Sequence, residues 1–245
     1  MSKQQREVSR RERVAEMQKQ TAAKERNRRL LIGLAVVVVL SAVVAAFVVF
    51  SGGGDSSKTP AATPPATASG QALVVGSDAN AKYKVVVYED FLCPYCRQFE
   101  TSSRDFLRAA AQKGTVQIEY RPFHLLQDDY STRALSAWAA VLQDGTPKQA
   151  LRLHDLLYDN QPYEQDANKP GTSKLQGWAK EAGVSRSSVL DAMGQSDTTF
   201  VDAADAAADK AGVTGTPTVF VNGKELTGSS ISSMVDNLER EVSGG

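Results

Sequence analysis

The chain contains two cysteines, and only two residues separate them: Cys93-Pro94-Tyr95-Cys96. They follow an apolar, β-rich run and open a segment of helical periodicity. That placement puts Cys93 at a helix N-terminus, where unpaired backbone N–H groups and the helix dipole favour negative charge. The thiolate is the nucleophile of disulfide exchange, so such a site makes a reactive cysteine. Pro94 suits the first helical position, where its missing N–H is no loss. Cys96, one turn further, is placed to close a disulfide. A merely structural disulfide would close a very small loop and constrain the unfolded chain little. Zinc would need about four ligands, and the two histidines, His124 and His154, are far apart in sequence.

The elements around the pair read as follows. Tyr83–Glu89 is a short β-branched and aromatic run, a buried strand. Cys93 to about Lys113 is helical, with Phe99, Phe106, Leu107 and Ala110 on one face and Gly114 as its cap. Thr115–Tyr120 alternates at period two, a second strand. Strand, helix and strand at this spacing make a right-handed βαβ unit with parallel strands. Five helical stretches follow over 131–143, 148–158, 174–182, 187–193 and 200–210. Trp138 and Trp178 read as core, and so does His154, which stands among leucines. His124 has a similar reading, though its loop is placed to approach the cysteines. Gly215–Leu226 is strand, Asn-Gly turn and strand, a strong hairpin signal. Ile231–Val242 closes the chain as an amphipathic helix.

The remainder of the chain is organised differently. Leu30–Phe50 carries no charged residue and is long enough to span a bilayer. Arg26, Arg28 and Arg29 precede it, which by the positive-inside rule leaves residues 1–29 as a basic cytoplasmic tail. The small residues Ala42, Ala45 and Ala46 lie inside the apolar run, which argues for an uncleaved anchor over a signal peptide. Residues 51–70, rich in Gly, Ser, Thr, Ala and Pro, read as a flexible linker. Residues 71–245 are then a single domain outside the membrane. This domain carries 17 Lys/Arg against 23 Asp/Glu, so no broad basic surface offers itself to nucleic acid.

Two motifs carry a resemblance. Phe91-x-Cys-Pro-Tyr-Cys after a strand, and Gly215-Thr-Pro-Thr-Val-Phe-Val-Asn-Gly before a hairpin, resemble the thioredoxin superfamily. The helical insertion at about 124–210, and the stretch Tyr120-Arg-Pro-Phe123, are similar to the DsbA-like thiol–disulfide oxidoreductases. The resemblance implies an α/β thioredoxin fold with an inserted helical subdomain, a redox-active Cys93–Cys96 disulfide, and neither metal nor bound cofactor. It implies Cys93 as nucleophile, Cys96 as resolving cysteine, and a cis-proline at Pro217 beside them. Thr216 would then pair with an extended substrate by strand addition, with Pro94 and Tyr95 exposed to it. The expected activity is disulfide introduction into exported proteins, with a membrane quinone-linked oxidase as the reoxidising partner. An isomerase or reductase on the same fold, or a tethered binding module with idle cysteines, are the alternatives.

The sequence departs from the family in two places. Tyr95 stands where the best-known members have histidine, so the helix terminus and local N–H groups must stabilise the thiolate. Val87 stands where many relatives carry a buried carboxylate. Positions 87 and 89 of a strand share a face, which makes Glu89 the substitute for proton transfer to and from Cys96. Its plain alternative is a solvated carboxylate at the strand edge. Asp90 faces the other way and is expected to matter less.

Overall fold

In the computed structural model, residues 64–77 and 80–243 are described. The expected tail and membrane span, and most of the expected linker, lie outside them. Among the described residues no helix is long and apolar enough to cross a membrane.

The sheet has six strands: β1 (Ala66–Ser69), β2 (Ala72–Val75), β3 (Tyr83–Glu89), β4 (Val116–Pro122), β5 (Thr218–Val221) and β6 (Lys224–Glu225). Their spatial order is β1-β2-β4-β3-β5-β6. β3 and β4 are parallel, as the βαβ reading requires, and the other neighbours are antiparallel. β1 corrects the sequence reading, because its residues fall in the stretch read as linker. Small Ala, Thr and Ser residues show no strand pattern by themselves, and Ala66–Ser69 gains its ladder from β2. The β5–β6 hairpin turns on Asn222 and Gly223, both at positive φ (51° and 81°), the geometry that favours Asn-Gly.

Helix α1 (Pro94–Gln112) crosses between β3 and β4. It buries Cys96, Phe99, Glu100, Ser103, Leu107 and Ala111, a stripe at helical spacing. Gly114 at φ +75° lets the chain turn out of it, and the Thr115 N–H returns to the Ala110 carbonyl. The insertion consists of α2 (Asp129–Asp144), α3 (Pro147–Asp159), α4 (Thr172–Glu181), α5 (Ser187–Ala192) and α6 (Thr198–Lys210). α7 (Ile231–Val242) packs on α1.

Within the insertion, α3 matters most for the site. It packs against α1, α2, α4 and the β1–β2 edge, so its buried face looks at the back of the cysteine helix. Thr146 and Gln149 form a reciprocal capping box at its start, with Pro147 in the first turn. Trp138 is fully buried and donates its ring N–H to the Ala150 carbonyl, which locks α2 to α3. Trp178 is core as expected.

Candidate active site

Cys93 is the N-cap of α1, in extended conformation, and Pro94 opens the helix. Its carbonyl accepts from Arg97 N–H at 3.2 Å, the first turn of the helix. The Thr216-Pro217 peptide bond is cis. The Thr216 carbonyl oxygen lies 3.5 Å from Cys93 Sγ. Four of the residues expected at the site, Cys93, Cys96, Thr216 and Pro217, are thus brought together from opposite ends of the domain. Pro94 and Tyr95 are exposed on the helix's first turn, Tyr95 at 61%.

The two cysteines are free thiols with opposite acidities. The Cys96 thiol donates to the Cys93 sulfur and favours its thiolate. Burial opposes this, while the Thr216 side chain and the N–H groups of Cys96 and Tyr95 assist, and Cys93 falls from 9.0 to about 6. None of the groups responsible is a cation, as expected with Tyr95 in the motif. Cys96 is fully buried and is pushed well above its ordinary value by lost hydration, then by the Cys93 sulfur and the Glu89 carboxylate.

Glu89 corrects its plain sequence reading. It is fully buried, not solvated, and its Oε1 lies 2.6 Å from His154 Nε2. His154 is core, as expected, but it is packed against aromatic rings and not only leucines. Tyr120, Tyr158 and Phe91 surround it, with ring centroids at 4.5, 5.1 and 5.8 Å. Burial works against charge on His154, but Glu89, Asp155 and Glu100 outweigh it and raise the ring to about 9. His124 takes no part; its backbone and ring meet Asp205 and its Nε2 meets Thr132.

Two functional neighbours, Glu100 and Gln161, escaped the sequence reading. Glu100 is fully buried, and neither carboxyl oxygen has a hydrogen-bond partner. Lost hydration, and then Glu89, push it from 4.5 to about 8. A carboxylate four residues after Cys96 shares its helical face, and that spacing is the available signal. Gln161, beyond α3, donates its amide to the carbonyls of both Phe91 and Cys93. Asp90, expected to matter less, is fully buried and works structurally. It accepts from the N–H groups of Leu92 and Leu126 and from the Ser131 hydroxyl.

The comparisons with known proteins agree with this geometry. The family model described as thioredoxin matches residues 68–239, and the chain belongs to that family. Reduced DsbA from Mycobacterium tuberculosis is 30% identical, with a TM-score of 0.59, covering 72% of this chain and 94% of that one. Reduced DsbG from the same organism is 30% identical, with a TM-score of 0.58, covering 74% of this chain and 87% of that one. MdbA, a thiol-disulfide oxidoreductase from Corynebacterium diphtheriae, is 25% identical, with a TM-score of 0.59, covering 74% and 98%. No curated protein matches the chain. With the paired cysteines, these likenesses support a disulfide oxidoreductase.

Proposed function

We propose that the chain is a membrane-tethered, extracytoplasmic oxidase that introduces disulfides into exported proteins. The observation that carries it is the asymmetry of the two thiols: Cys93 at a helix terminus, lowered to about 6, and Cys96 buried and raised. A stabilised Cys93 thiolate favours the reduced enzyme, which makes the Cys93–Cys96 disulfide a strong oxidant. DsbA itself is the standard case in which a low thiol pKa and a strongly oxidising disulfide go together.

The reaction divides into two exchanges. A substrate thiolate attacks Cys93 Sγ, the Cys93–Cys96 bond breaks, and Cys96 leaves with the electron pair. A second substrate thiolate then attacks the substrate sulfur, and Cys93 leaves as a thiolate. The substrate's extended backbone aligns beside Thr216, over Pro94 and Tyr95. For reoxidation, Cys93 attacks a partner's disulfide and Cys96 closes the bond again. Glu89 accepts the Cys96 proton in that closing step. The span at Leu30–Phe50 raises the effective concentration of a partner in the same membrane, a quinone-linked oxidase in this reading.

A redox titration of the full chain against glutathione tests the activity. A potential well above the roughly −180 mV of protein disulfide isomerase supports an oxidase. A potential near that value favours an isomerase, and one at or below the roughly −270 mV of thioredoxin favours a reductase, readings that Thr216, in place of the valine of many oxidases, keeps in view. An unchanged phenotype on Cys93→Ser would leave only a binding module.

A further inference from the structure

Behind Cys96 lies a cluster that disulfide exchange alone does not require. Glu89 comes from β3, Glu100 from α1 and His154 from α3, and all three are fully buried. One donor atom from each lies within 4.8 Å of the others. Glu89 Oε2 and both oxygens of Glu100 have no hydrogen-bond partner. The remaining titratable neighbours are Tyr120 of β4, Tyr158 and Asp155 of α3, and Arg104 and Arg108 of α1. Asp155 holds Arg108 through both of its terminal nitrogens at 2.6 and 2.5 Å, while Arg104 pairs with Asp159 at 2.8 Å and lies 3.4 Å from Asp155. Asp155 Oδ1 is 3.7 Å from His154 Nδ1, too far for a hydrogen bond.

Two buried carboxyls this close cannot both carry charge without a counter-charge. The structure offers two ways to neutralise them. A divalent ion on the three donors is one. His154 Nε2 already faces Glu89 at 2.6 Å, however, and an ion there would have to replace that contact. The other way needs nothing beyond the chain: an imidazolium paired with one carboxylate, and a proton on the other carboxyl. The raised values of His154 and Glu100 agree with this arrangement.

We propose that Glu89, His154 and Glu100 form one proton-sharing unit, in which His154 is the positioning residue that holds Glu89 as the charged acceptor for the Cys96 proton. This rests on the reading of Cys96 as the resolving cysteine. At rest the unit holds a carboxylate on Glu89, an imidazolium on His154 and a neutral Glu100, with no net charge. In the closing step the Cys96 S–H bond breaks and an O–H bond forms on Glu89. The Cys96 thiolate attacks the Cys93 sulfur of the mixed disulfide, and the partner sulfur leaves with the electron pair. While the Cys96 thiolate exists, the His154 charge balances it. The buried region therefore stays neutral up to the attack, which keeps the barrier low in a low-dielectric interior. Once the partner thiolate has left, the proton on Glu89 passes to solvent and the carboxylate is restored. Without His154 the acceptor would share an unneutralised wall with a second acid, and would hold a proton of its own.

The test uses the reduced full chain and a chromogenic aromatic disulfide in stopped flow. Attack by Cys93 releases one coloured thiolate and closure by Cys96 releases the second, so one trace reads both steps. For His154→Gln the second phase slows about a hundredfold at pH 7 and recovers as pH rises, while the first phase is unchanged. Glu89→Gln slows the second phase without that recovery. Should the first phase be missing from the parent, the oxidoreductase reading fails. Should it be present while His154→Gln closes at the parent rate across pH, only the proton-sharing unit fails. If His154→Gln does not fold, the parent decides. Nitrogen NMR of the two histidines, assigned with His124→Asn, shows His154 as imidazolium at pH 7, and infrared spectra show a carboxylic acid band lost in Glu100→Gln. A neutral His154 ring, an absent acid band, or a stoichiometric divalent ion in the purified chain would each overturn the proposal.

Discussion

The side-chain amide of Gln161 sits 3.0 Å from the carbonyl oxygen of Cys93, across 68 residues of sequence. The same amide nitrogen reaches the Phe91 carbonyl at 3.0 Å. One residue of the insertion thus fixes the backbone on both sides of Leu92, just ahead of the redox helix. Gln161→Leu keeps the bulk and removes the donor. The Cys93 carbonyl retains Arg97, but the Phe91 carbonyl loses this partner. Such a loss costs about 1–3 kcal/mol. Urea unfolding of the full chain should show a lower midpoint with an unchanged slope.

The division of roles between the cysteines predicts an asymmetry in trapping. Cys96→Ser should accumulate mixed disulfides through Cys93, since nothing can displace the bound sulfur. Cys93→Ser should accumulate none, because the remaining thiol is buried and raised. Non-reducing electrophoresis of the two variants, expressed as full chains, checks this. Equal trapping by both would refute the assignment.

Stability should respond to pH differently in the two redox states. Glu100, raised from 4.5 to about 8, and His154, raised from 6.5 to about 9, bind protons more tightly in the fold. Their contribution is complete below the unfolded values and is lost as pH rises through the folded ones. Cys93, lowered from 9.0 to about 6, works the other way: it adds nothing below about 6 and its full share above 9. The oxidised chain should therefore lose stability between about pH 5 and about pH 9, and the reduced chain should lose less. Denaturant midpoints across that range, for both states and for Glu100→Gln, measure it. Glu100→Gln should flatten the decline.

Asp155 is held well below the usual carboxylate range; burial opposes this, but His154 and the bidentate Arg108 pair outweigh it. Asp155→Asn would leave the partly buried Arg108 without its carboxylate, at a cost of about 3 kcal/mol. The contribution is present above the ordinary carboxylate value and fades as pH falls below it. The gap in urea midpoint between parent and variant should be wide at neutral pH and narrow in acid.

Much of this is legible in the residues taken in order. The Cys-x-x-Cys pair, the parallel βαβ unit and the Asn-Gly hairpin all announce themselves through local chemistry: a nucleophile after a strand, a period, a turn dipeptide. Ile231–Val242 is legible to the residue because its apolar face is strong and Ser230 caps it. What escapes is non-local or weakly patterned. β1 has no apolar alternation, and only its partner makes it a strand. Glu89 and His154 are 65 residues apart, and nothing near either one names the other. Glu100 lies in an exposed-looking run, yet it falls on the buried stripe because helical spacing from Cys96 carries it there.

The insertion supplies His154 and Gln161, while the thioredoxin core supplies both sulfurs. Anyone grafting Cys93-Pro94-Tyr95-Cys96 onto another thioredoxin domain would move the reactive atoms and leave their surroundings behind. The converse also holds. Changes on the inner face of α3 can retune the thiols while the motif stays letter for letter the same, so relatives sharing this tetrapeptide need not share a redox potential.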